Sequence, residues 1–87
     1  MDINEIRSRI DEVDERLLEA FIERMRLAEE VAAYKQHNEL PLVNEAREQA
    51  VLQKVRENSG AYALYAQEFF STLIKLSKDR QLEILEG

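Results

Sequence analysis

The chain of 87 residues is long enough for one small domain and too short for two. A single Pro, two Gly, 45% hydrophobic and 34% charged residues describe long helices with little room for Gly-rich phosphate loops, while no Cys and one His exclude a disulfide scaffold and starve metal, haem and thiol chemistry of ligands. The net charge of −6 should repel nucleic acid and anionic lipid, no stretch approaches the ~20 apolar residues of a bilayer span, and the N-terminus is no signal region, so a soluble, cytoplasmic protein is expected.

From Ile3 the apolar residues return at alternating steps of three and four: Ile3, Ile6, Ile10, Val13, Leu17, Ala20, Leu27, Val31 and Tyr34, with Arg24 in the slot between Ala20 and Leu27. Leu18, Phe21 and Met25 widen this heptad stripe in its middle. No Gly or Pro interrupts residues 3–36, and one helix of that span is roughly 50 Å long at ~1.5 Å per residue. A compact globule of this size has a radius of gyration of about 12 Å. The helix must therefore outrun its own domain and pack against something else, most economically a second copy of itself. Residues 37–43 contain Pro41 and form a loop. Asn44 then has the chemistry of an N-cap, with Glu45 and Glu48 in the first turn of a second helix running to about Asn58. The run Asn58, Ser59, Gly60 ends it, with Gly60 suited to a left-handed conformation. A third helix fits residues 61–85, with Tyr65, Phe69, Phe70, Leu73, Ile74, Leu76, Ile84 and Leu85 as its apolar set. Residues 1–87 thus read as a single all-α domain of three helices: one long N-terminal, one short and one long C-terminal.

The polar residues that break these stripes carry the functional signal. Arg24 occupies a core slot, and an Arg taken out of water without a partner costs several kcal/mol, so an anion should meet it, either a carboxylate of the protein or one of a ligand. Arg7 and Lys35 lie on one flank of the same stripe, while Asp11, Glu12, Glu15, Glu19, Glu23 and Glu30 take the other faces. An acidic shell around a cationic interior suggests a pocket for a small anion. Arg24 and Lys35 stand about 16 Å apart along the axis and could grip one molecule; Arg7, about 25 Å from Arg24, serves the same kind of site only if another subunit supplies it. On the third helix Ser77 and Gln81 are one turn apart among apolar neighbours, where an unpaired polar atom costs about 1–3 kcal/mol, so both want a partner. Arg47 and Glu48 stand directly after the Pro loop, where backbone N–H groups can also reach a ligand. Taken singly, each residue has a structural counterpart: a core Arg or Gln can fix register, and flank cations can merely solvate a helix. The set, spread over all three helices, is what points to function.

Together, Ile6-Arg7, Asp14-Glu15-Arg16-Leu17-Leu18, Glu23-Arg24, Lys35 before the Pro41 loop, Asn44-Glu45-Ala46-Arg47-Glu48, and Ser77 with Gln81 resemble the all-helical class of chorismate mutases. The likeness spans nearly the whole chain. It implies an intertwined homodimeric helical bundle that converts chorismate, a small dianion, to prephenate in aromatic amino acid biosynthesis. It also implies that Arg24 and Lys35 of one subunit, with Arg7 of the other and help from Ser77, hold the two substrate carboxylates. Lys35 and Gln81 would hydrogen-bond the ether oxygen whose C–O bond breaks. Glu48 and the backbone N–H of Asn44 would bind the ring hydroxyl, and Arg47 would line the pocket. Asn44 departs from the family, which often has Asp there; a backbone contact survives that change and a side-chain contact does not. The rearrangement is unimolecular, so the resemblance implies no metal and no cofactor.

Two other readings share the scaffold. Isochorismate pyruvate lyases resemble the same helical class and act on a similar dianion. A helical dimerisation or regulatory module would bind an anion without turnover. Domains of the class that the chain resembles also occur fused to other shikimate-pathway enzymes, and Met1 with no trailing linker favours the free-standing form.

Overall fold

The computed structural model describes all 87 residues and contains only helices. They are α1 (Ile3–His37), α2 (Glu45–Asn58), a single 3-10 turn (Gly60–Tyr62) and α3 (Ala63–Glu86). Asp2 caps α1 by accepting from the Glu5 amide at 2.9 Å, and Lys35 places positive charge in its last turn, which ends at His37. His37 therefore closes the helix instead of standing in the loop. Beyond it Glu39 adopts a left-handed conformation, φ 53°, and the Leu40 amide donates back to the Lys35 carbonyl at 2.8 Å. This is a Schellman-type ending built without glycine, and Pro41 prevents any resumption. Asn44 caps α2 as expected, its Oδ1 accepting from the Arg47 amide at 3.0 Å. Gly60 takes the left-handed position, φ 55°. The third helix does not begin at residue 61, however. The Tyr62 amide bonds to the Ser59 carbonyl in the tighter 3-10 pattern, and regular α geometry starts at Ala63.

Helix α3 is central, with α1 packed on one side and α2 on another. The core is small: Ala28 and Ala32 of α1 with Leu73, Ile74 and Gln81 of α3. The face of α1 that α3 covers is Phe21, Met25, Ala28, Ala32 and Lys35, all buried or half-buried at heptad spacing. It is not the stripe of larger residues read from the sequence. Those, from Ile3 and Ile6 through Ile10, Val13, Leu17, Leu27 and Val31 to Tyr34, remain exposed. Two parallel stripes run along one helix, and the chain itself uses only the narrower one. Every residue from Met1 to Ala20 is exposed, because α1 extends well past the ends of α2 and α3. The molecule measures 54 × 26 × 14 Å, with a radius of gyration of 16.0 Å, against about 12 Å for a compact chain of this length. Its accessible surface is 7096 Å², where a compact monomer of this mass exposes about 5,300 Å². On the outer side of the bundle, Arg80 ties α3 to α1 through Glu29 at 2.7 Å.

Candidate anion-binding site

Where the C-terminal half of α1, the start of α2 and the middle of α3 converge, they enclose a cavity of about 300 Å³. This is the small end of the range for ligand pockets. Leu27, Val31, Leu42, Val51 and Ile74 supply its apolar wall, and Arg24, Lys35, Asn44, Arg47, Glu48, Ser77 and Gln81 its polar groups. The geometry brings together residues separated by as much as 57 positions because α2 returns the chain and α3 then runs alongside α1 in the same direction, pairing Arg24 with Leu73 and Lys35 with Gln81. Arg7 is not among them. It sits in the exposed first half of α1, outside the cavity.

Gln81 is the deepest polar residue, 5% exposed, and its hydrogen bonds fix its orientation. Lys35 Nζ can only donate, and it does so to Gln81 Oε1 at 2.9 Å; the Gln81 amide nitrogen is thereby turned toward Ser77, donating to its Oγ at 3.0 Å. The partners that Ser77 and Gln81 required are thus each other and Lys35. Lys35 also donates to the Leu42 carbonyl at 2.6 Å, which pins the Pro loop over the cavity. An ammonium has three N–H groups and a primary amide two, so Lys35 and Gln81 each retain one donor after these bonds. Burial holds the Lys35 ammonium below its ordinary pKa of 10.5, an effect opposed by the charge of Glu48.

Arg24 meets no carboxylate. Its Nη1 makes one long hydrogen bond, 3.4 Å, to the backbone carbonyl of Leu73. Nor does any ion pair of the chain involve Lys35 or Arg47. Three cations therefore line one cavity without an anionic partner; for the half-buried Arg24 and Lys35 an entering anion would offset the cost of partial desolvation, while Arg47 stands exposed at its edge. Of the two carboxylates the sequence left open for Arg24, the protein supplies none. Glu48, the one acidic residue of the lining, is bound instead by Lys78 across the gap between α2 and α3, at 3.2 Å. Lys78 is the cavity-lining cation that the sequence reading missed. Its spacing, four residues after Ile74 and three before Gln81, fits the inward face of α3, but among Ser77, Asp79 and Arg80 that spacing alone does not mark it out from solvated surface.

Asn44 lines the cavity; its Oδ1 is committed to capping α2, while its backbone N–H makes no hydrogen bond within the chain. A ligand can therefore take a contact from the Asn44 backbone N–H, or from its free Nδ2–H groups, without breaking the cap.

Elsewhere an apolar groove of about 320 Å³ runs between α1 and α3, lined by Leu17, Leu18, Phe21, Phe69, Leu73 and Leu76. No group of His, Cys, Asp and Glu residues is arranged to hold a metal ion, and no helix is long and apolar enough to cross a membrane. Among known families, the one described as "Chorismate mutase type II" matches residues 6–82. No curated protein and no solved structure matches the chain significantly.

Proposed function

The chain belongs to the chorismate mutase type II family, and from that premise we propose that it rearranges chorismate to prephenate in the cavity between its three helices. The observation that carries this reading is the group of cations without carboxylate partners, Arg24, Lys35 and Arg47, beside the spare donors of Lys35 and Gln81. Chorismate is a dianion, and its reaction needs no nucleophile, metal or proton acceptor. It needs the compact conformer that brings the two carbons to be joined into contact, and stabilisation of the negative charge that grows on the ether oxygen as its C–O bond breaks. Arg24 and Arg47 bind carboxylate and hold the conformer. The free N–H of Lys35 and that of Gln81 point donors at the ether oxygen. Because these donors are already oriented by Leu42, Ser77 and each other, little reorganisation is left for the moment of reaction. Glu48 and the Asn44 N–H take the ring hydroxyl.

The same reading makes the protein a homodimer. The exposed apolar stripe of α1 and the groove between α1 and α3 are faces of the kind a second copy buries. The surface in excess of a compact monomer, about 1,800 Å², is that of an extensive interface. Arg7 lies on this uncovered half of α1 and reaches a cavity only in the partner. The test is the loss of chorismate absorbance on adding purified protein, with the product identified, repeated on isochorismate. Prephenate is the expected product. Turnover of isochorismate alone would make the chain a pyruvate lyase, and silence on both would leave an anion-binding module.

A further inference from the structure

Lys78 is the fourth cation of the cavity lining and the one with an acidic partner. Its Nζ lies 3.2 Å from each of the two oxygens of Glu48, so the ammonium straddles the carboxylate. The hydrogen bond to Oε1 and the close approach to Oε2 restrain the Glu48 carboxylate and leave it lone pairs open to a ligand. The pair also joins the first turn of α2 to the middle of α3, which sets the separation of two walls of the cavity. Both side chains are partly shielded from water, with 33% and 24% exposure. Without Lys78, Glu48 is left with Lys35, the cation on which its charge already acts. A carboxylate turned toward Lys35 would compete with the ligand for that ammonium.

We propose that Lys78 is a positioning residue of this site: it holds and neutralises Glu48, so that Arg24, Lys35 and Arg47 stay available to the anionic substrate while Glu48 faces the substrate hydroxyl. This rests on the mutase reading. The hydroxyl is unchanged by the rearrangement, so holding it contributes equally to ground and transition states and its loss registers in KM.

The experiment is a double-mutant cycle in the full chain with chorismate as substrate. Lys78→Met keeps the stem and removes the charge, and it should raise KM about fivefold to tenfold while kcat stays within about twofold, as expected for a partly exposed charged contact. Lys78→Arg, which can straddle a carboxylate, should recover most of the loss. In a Glu48→Gln background the Lys78→Met change should add nothing further, because Lys78 then has nothing to position. An equal KM increase in both backgrounds would mean that Lys78 binds substrate itself or acts through the fold, and would overturn the proposal. So would an unchanged KM in Lys78→Met. If the unmodified chain converts no chorismate, the mutase reading and this one fall together; if it does and the cycle is additive, only this one falls.

Discussion

At the residue scale, the proposed mutase activity rests on the orientation of hydrogen-bond donors. Gln81 can donate in one direction because Lys35 occupies its carbonyl. Replacing it by glutamate converts a permanent donor into one that donates only when protonated. Gln81→Glu should therefore be poorly active near neutrality and gain activity as pH falls toward the carboxylate range, about pH 4; a kcat profile parallel to the wild type would remove Gln81 from the ether oxygen. Lys35 sets the opposite limb. Its pKa is lowered by burial, so the free protein loses this charge and donor as pH rises through a value below 10.5, and kcat/KM should decline there. The surviving activity of Lys35→Arg should show no such decline, since Arg keeps its proton. Arg24→Ala should lower kcat/KM about 100-fold, the scale of one charge-assisted contact of about 3 kcal/mol, with the assembly intact by sedimentation. Most of these residues were legible in the sequence because a cation or amide in an apolar stripe is conspicuous. Lys78 was not, because a lysine among Ser77, Asp79 and Arg80 looks like solvated surface until α2 is folded against it.

At the element scale, the ends of the helices determine where the ligand-facing groups stand. Asn44 both starts α2 and, in the cavity lining, leaves its own N–H without a partner in the chain. Asn44→Asp preserves the cap and the N–H, so activity should persist. Asn44→Ala should cost about 1 kcal/mol of stability, read by thermal or urea unfolding. If Asn44→Asp instead abolished activity, the side chain would be touching substrate. The end of α1 was less legible. Left-handed helix endings usually announce themselves by Gly, and here Glu39 takes that conformation. Glu39→Gly should relieve the strain and raise stability by up to about 1 kcal/mol, measured in the same unfolding experiment. The first helix also held a subtler ambiguity. Its conspicuous heptad of Ile, Val and Leu marked it as helical and amphipathic, yet the stripe that packs on α3 is the neighbouring one with Ala28 and Ala32. Periodicity gives the helix and its apolar side; which of two adjacent stripes a given neighbour covers depends on side-chain volume at close approach, and small residues let α1 and α3 come together.

At the scale of the whole molecule, a 54 Å rod with five buried residues cannot be understood as a self-sufficient globule. The long uninterrupted helix predicted this from length alone, since no chain of this size can enclose it. Half of α1 presents its larger apolar residues outward, and the same half carries Arg7. The account's central claim is that the catalytic cavity of one copy is completed by that arginine from another. It is tested most directly by combining two crippled chains. Arg7→Ala and Arg24→Ala, each with activity far below the wild type alone, are co-refolded in equal amounts and assayed for prephenate. Half the dimers formed at random are mixed, and each mixed dimer has one cavity with both arginines, so about a quarter of wild-type activity should return. A mixture no more active than its two parents would place Arg7 and Arg24 in the service of the same chain, or of no shared site at all, and would contradict the account.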